Sequence, residues 1–185
     1  MTSQPDNQIM LKVRDDELDQ LGILFERHHI TLFNFFLRLT RNRAISEDLV
    51  QEVFLRILKY RHTYRGEGKF TNWMFHISRN AHVDFFKKQN REQQLSENEP
   101  EPISEDSNPD ESLEASQDVA LLQAALTKLS IEKREVLVLS RFHNMKYEDI
   151  AEIQNCQVGT VKARVHRAIK ELRDIYFELS GESAS

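Results

Sequence analysis

The sequence predicts an all-α protein of two small helical domains joined by an acidic, flexible linker. Three observations carry this expectation. Apolar residues recur at helical spacing through most of the 185 residues. There are only 5 Gly and 4 Pro, too few for an all-β chain built on tight turns. The acids collect in one place, with ten of them in residues 92–118 and no Lys or Arg among them. Those ten exceed the whole net charge of −5 and leave the remainder at +5, so the two flanking blocks are mildly basic.

Along the chain, residues 1–14 read as a loose polar tail. Residues 15–91 read as the first domain. Leu18, Leu21, Leu24, Phe25, Leu32, Phe35, Phe36 and Leu39 fall at helical spacing. Ser46 reads as an N-cap, with Glu47 and Asp48 in the favourable first turn and Leu49, Val53, Ile57 and Leu58 on one face. A turn through Gly66 and Gly68 leads into a helix over about 70–88, with Trp73, Ile77, Ala81 and Phe85 at four-residue intervals. Residues 92–117 hold Pro100, Pro102 and Pro109 among acids, Ser, Asn and Gln. They bury too little apolar area to offset the ordering of their backbone, which predicts a linker.

Residues 118–180 read as the second domain, with helices near 118–128, 131–142, 147–153 and 158–179. The last is the clearest, because Val158, Val161, Val165, Ala168, Ile169, Leu172, Ile175, Tyr176 and Leu179 form one apolar stripe. The short helix before it and the turn at 154–157 have helix-turn-helix spacing. Gly159 and Thr160 allow close approach of a phosphate to the helix start. Lys162, Ala163, Arg164, His166 and Arg167 lie away from the stripe, where Arg and Lys reach guanine edges or phosphates in a major groove. Cys156 in the turn reads as a small buried filler. In the first domain, Phe70, Trp73, Phe75, Phe85 and Phe86 lie among Arg79, Lys87, Lys88 and Arg91. Rings among cations suit a single-stranded nucleic acid. Spacing alone favours core packing for Trp73 over a stacking role, so it is expected to be partly buried and the loop at 65–69 more exposed.

Several function classes are excluded. No apolar run approaches the roughly 18 residues of a membrane span. The polar, acidic N-terminus does not read as a signal peptide. The lone Cys156 forms no internal disulfide and fits a reducing cytoplasm. None of the seven His falls in a metal-ligand spacing, and no phosphate loop or nucleophile elbow is present. No catalytic residue, metal or cofactor is expected.

Three stretches together resemble the extracytoplasmic-function sigma factors of RNA polymerase, placed here in the primary sigma family. They are DLVQEVFLRIL at 48–58, FTNWMFHISRNAHVDFFKK at 70–88, and the segment at 129–172 ending in VGTVKARVHRAIKEL. The resemblance implies a bacterial initiation factor, cytoplasmic and non-enzymatic, that binds core polymerase and directs it to promoters by their −10 and −35 elements. Asp48, Gln51, Glu52 and Phe54 would contact the clamp of the largest polymerase subunit. Gly66, Gly68, Trp73, Arg79, Asn80, Lys87 and Lys88 would handle the unpaired −10 strand. Thr160, Lys162, Arg164, His166 and Arg167 would face the −35 groove. Asp84 would be a helix-stabilising partner. An anti-sigma factor would be a further partner, and the acidic linker would thread a basic channel of the polymerase. Ser130 stands where the family often has Pro, and would serve as an N-cap. Ala163 and Gln157 stand where it often has Ser. The rival readings are a sigma-like protein that only sequesters an anti-sigma factor, which would need no cationic recognition face, and a stand-alone repressor, which would have no use for the segment at 48–58.

Overall fold

The computed structural model describes residues 4–95 and 113–181, and the described residues contain helices and turns but no strand. They form two compact units, 4–36 with 43–95 and 37–42 with 113–181. The all-α class and the two helical domains are as expected. The linker reading at 92–117 lies largely outside the described residues; of that stretch, residues up to Leu95 and from Leu113 onward are helical.

The first unit opens with a difference from expectation. Residues expected to form a loose tail instead form helix α1, Asp6–Arg14. Of its four apolar residues, Ile9, Met10 and Val13 are fully buried and Leu11 is half-buried. Tertiary contacts supply what nine residues cannot supply locally. The Asp6 carboxylate, in the first turn, accepts hydrogen bonds from Arg27 Nη1 at 2.6 Å and His28 Nε2 at 2.7 Å. Burial alone would push Asp6 up, but these two partners outweigh it and hold the carboxyl below its ordinary value.

Helix α2, Leu21–Thr40, sends Leu24, Leu32, Phe35 and Phe36 into the core. Helix α3, Arg43–Tyr60, starts one turn earlier than the sequence suggests. Ser46 is therefore no N-cap; it is fully buried within the helix. Glu47 instead pairs with Arg43 across the first turn at 2.9 Å. Helix α4, Phe70–Leu95, buries Phe70, Met74, Phe75, Ile77 and Ala81 and packs along α3.

The second unit is built from α5, Leu113–Lys128, α6, Ile131–Leu137, α7, Tyr147–Ile153, and α8, Val158–Ser180. A single π turn, Val138–Phe142, extends α6. Ser130 occupies the N-cap position of α6 with extended backbone, but its side chain makes no capping hydrogen bond. The joint is held from the other side, where Arg134 donates to the carbonyls of Leu126 at 2.7 Å, of Leu129 at 3.0 Å and of Thr127 at the end of α5. The core gathers Leu126, Val136, Leu139, Ile150, Val161, Val165 and Ala168. Tyr176 ties α8 to α5 by donating to Asp118 Oδ1 at 3.1 Å.

Candidate nucleic-acid and polymerase interfaces

In the first unit the turn before α4 carries two left-handed glycines, Gly66 at φ 75° and Gly68 at φ 70°. A side chain would be strained at either position. Arg65, Glu67, Gly68 and Lys69 are exposed, as expected for this loop. Behind it, α3 and α4 frame a cleft of about 660 Å³ whose walls include Trp73, Arg79, Asn80 and Lys87, together with His76 and Arg56. Four of the residues expected to meet the −10 strand thus share one cleft. Trp73 is half-buried; one face meets Tyr64 at 5.0 Å between ring centroids, and the indole also lines the cleft. Asn80 Nδ2 lies 3.3 Å from His76 Nε2, one turn earlier. Lys88 is exposed and lines a neighbouring groove with Asp48, Glu52 and Asp84.

Arg56 stands between these two grooves. It donates to Glu52 on its own helix at 2.6 Å and to Asp84 on α4 at 2.8 Å. Asp84 is thereby a helix-to-helix partner. Burial tends to lower the Arg56 pKa, but the two carboxylates raise it overall. Arg56 was not singled out from the sequence, although a Glu and an Arg four apart on a helix are a recognisable pair.

On α3, Asp48 and Gln51 are exposed and Glu52 is half-buried. Phe54 is only 7% exposed and meets Phe25 edge-on at 4.9 Å, so it belongs to the core and not to an interface. One residue of a helix is a rotation of 100°, which carries Leu55 outward, 62% exposed. Asp48, Gln51, Glu52 and Leu55, at spacings of three, one and three residues, therefore share one face. Gln51 also borders an apolar recess lined by Phe25, Ile30 and Phe33, with Ile30 62% exposed.

In the second unit, Asn155 at φ 50° makes the turn between α7 and α8, and Cys156 N–H donates to Ala151 O at 2.9 Å. Cys156 is half-buried, less enclosed than a core filler. Gln157 sits at the N-cap of α8 and makes no capping side-chain bond. Lys162, Ala163, His166 and Arg167 are exposed along one face, with Thr160 half-buried at its start and Lys170 continuing it. Arg164 differs. It donates to Gln154 Oε1 at 2.9 Å and lies 3.7 Å from Glu132, so it braces α8 against α7 and α6. Among the described residues no group of His, Cys, Asp and Glu could hold a metal, and no helix is long and apolar enough to cross a membrane.

Comparison with known proteins agrees with this layout. The model of Sigma-70 region 2 matches residues 24–92, and that of Sigma-70 region 4 matches residues 120–172. The wider Sigma-70 name is the one these matches carry, in place of the primary sigma family. Helix α1 precedes both matches. The chain is 31% identical over 178 residues to the RNA polymerase sigma factor CarQ of Myxococcus xanthus, covering 95% of this chain and 99% of that one. It is 32% identical over 163 residues to the ECF RNA polymerase sigma factor SigE of Mycolicibacterium smegmatis, covering 87% of this chain and 63% of the relative. Among solved structures it resembles the sigma factor RpoE of Bartonella quintana, captured with the anti-sigma factor NepR. The TM-score is 0.69 at 28% identity, over 83% of this chain and 94% of that one.

Proposed function

The chain belongs to the extracytoplasmic-function family of RNA polymerase sigma factors, and on that premise we propose how its surfaces divide the work. It is a bacterial transcription initiation factor that binds core RNA polymerase and directs it to promoters through their −10 and −35 elements. Its role is initiation rather than catalysis, and it acts in the cytoplasm beside the polymerase.

One observation carries the division of labour. The same chain holds, in order, a cleft of aromatic and cationic side chains and a helix-turn-helix with an exposed cationic face. In the first, Trp73 offers a ring face to an unpaired base, Asn80 a hydrogen-bonding amide, and Arg79, Lys87 and Lys88 charge for the backbone. Gly66 and Gly68 let the loop approach the strand closely. In the second, Thr160, Lys162, His166 and Arg167 enter the major groove of the −35 element, and Arg164 holds the helix pair that presents them. Asp48, Gln51, Glu52 and the outward Leu55 form the face that docks on the polymerase clamp. The polymerase sets the separation of the two units, and tethering them in one chain raises the effective concentration of each at its element. An anti-sigma factor is a further proposed partner, in line with the relative captured with one.

The test is transcription with core polymerase on a library of genomic fragments, with start sites mapped. New starts sharing two elements at fixed spacing are expected only when the chain is added. Tight duplex binding without polymerase, and no new starts, would instead support a stand-alone repressor.

A further inference from the structure

Helix α4 begins just after Lys69. The carbonyl of Lys69 accepts the first helical hydrogen bonds, from Asn72 N–H at 3.1 Å and Trp73 N–H at 3.4 Å, so Lys69 is the capping residue by position. A lysine side chain offers no acceptor for the free N–H groups of the first turn. The acceptor comes from more than sixty residues away. Asn7, on α1, receives the Phe70 N–H on Oδ1 at 2.8 Å and donates Nδ2 to the Gly68 carbonyl at 2.6 Å. One amide thus closes on both the last glycine of the loop and the first residue of the helix.

Two further contacts hold α1 over the same loop. Leu11 lies so close that a Cβ on Gly66 would sit 3.0 Å from Leu11 Cδ2. Asp6, next to Asn7, anchors the start of α1 to Arg27 and His28. The loop at 65–69 is otherwise exposed and carries two left-handed glycines, the residue type with the most conformational freedom to lose on being fixed. A loop held in its bound shape spends less free energy on ordering when a ligand arrives.

We propose that Asn7 is a positioning residue for capture of the unpaired promoter strand: it presets the loop at 65–69 through Gly68 while capping α4 through Phe70, and touches no DNA itself. This rests on the assignment of the loop and cleft to the −10 strand. Helix α1 is then part of the DNA-reading apparatus rather than an appendage to the first unit.

The two bonds of Asn7 can be separated. Asn7→Asp keeps the acceptor for Phe70 N–H and suits a helix N-terminus, but cannot donate to the Gly68 carbonyl. Asn7→Ala removes both. The probe is a fluorescent single strand selected from a random pool on the native holoenzyme. Both variants are expected to bind it about tenfold more weakly, the scale of one lost hydrogen bond to a fixed loop. Asn7→Asp should melt like the native protein, bind core polymerase normally, and show faster amide exchange across 65–69. Its defect should keep the same size as salt is raised, which mere repulsion of DNA by the new carboxylate would not do. Native binding by Asn7→Asp would overturn the proposal and leave Asn7 a helix cap only. A defect that vanishes at high salt would also overturn it. Trp73→Ala and Asn80→Ala serve as the reference. If they bind the strand normally, the −10 assignment itself fails, and if they are weak while both Asn7 variants are normal, only the role of Asn7 fails.

Discussion

Replacing Lys162 and Arg167 together by alanine removes two exposed cations from the outer face of α8 without disturbing its buried stripe of Val161, Val165 and Ala168. Each phosphate contact contributes about 0.9 to the slope of log affinity against log salt, so the pair contributes about 1.8. Over a fourfold change in salt, from about 50 to 200 mM, the native holoenzyme should lose about twelvefold more affinity for a promoter duplex than the double variant does. Arg164→Ala offers the contrast. Its guanidinium donates to Gln154 and approaches Glu132, with the side chain 22% exposed, so its removal strikes the packing of α7 on α8. A hydrogen bond from a charged group is worth about 1.5–3 kcal/mol, and in a unit of this size each kcal/mol moves the midpoint by roughly 4–8 °C. Arg164→Ala should therefore lower the melting temperature of the second unit by several degrees and leave the salt slope nearly native. The assays are fluorescence anisotropy of holoenzyme on labelled duplex across a salt series, and thermal melts of each variant. A salt slope unchanged in the double variant, or lowered by Arg164→Ala with no loss of melting temperature, would refute this orientation of α8.

On α3, Phe54→Ala should cost about 3–5 kcal/mol of stability as a buried aromatic, whereas Leu55→Ala should melt within a degree or two of native and weaken binding to core polymerase in a pull-down titration. Native polymerase binding by both Leu55→Ala and Gln51→Ala would remove this face from the docking account. Tyr64 is 2% exposed, and its hydroxyl meets no hydrogen-bond partner among the described residues. Burial, then the nearby Asp6 carboxylate, pushes its pKa up to about 12. The folded state therefore favours the neutral phenol, and that stability is present below about pH 10 and lost as pH rises through about 12. Tyr64→Phe should be neutral or slightly stabilising near pH 7 and should resist this alkaline loss; strong destabilisation at neutral pH would mean that the hydroxyl is partnered. Asp6 runs the other way. Its lowered pKa gives stability present above the ordinary carboxylate value of about 3.8 and lost as pH falls through the folded value, so Asp6→Asn should flatten the acid limb of the melting curve, and an unchanged limb would contradict the Arg27 and His28 pairing.

What the sequence showed and what it hid have separate physical causes. Long helices with a continuous apolar face declare themselves: α8 was expected over 158–179 and runs to Ser180. The helix-turn-helix was legible for the same reason, since its short α7 is framed by turn residues on both sides. Helix α1 escapes a sequence reading because nine residues with four apolar positions, three of them consecutive, carry almost no periodic signal, and its stability resides in buried apolar contacts and in bonds with Arg27, His28, Gly68 and Phe70. Phe54 is expected at the clamp from the sequence, but rotation by one residue is not legible there: Phe54 and Leu55 are both large and apolar, and only packing against Phe25 turns Phe54 inward and leaves Leu55 62% exposed. Arg164 looked like its neighbours on the basic face because its partners Gln154 and Glu132 come from beyond the turn and from another helix. Ser46 has the local pattern of a cap, Ser-Glu-Asp, but the helix starts one turn earlier, where Arg43 pairs with Glu47.

The central claim is that one chain supplies two DNA-reading surfaces that act only with core polymerase. Footprinting with permanganate probing, on a promoter selected by the holoenzyme, tests it most directly. Protection of an upstream and a downstream element, with unpaired thymines at the latter, is expected only when core polymerase and the chain are both present. Lys162→Ala with Arg167→Ala should erase the upstream protection, and Trp73→Ala with Asn80→Ala should abolish the thymine reactivity while the upstream protection remains. Protection by the chain alone, or thymine reactivity that survives loss of Trp73 and Asn80, would contradict the account.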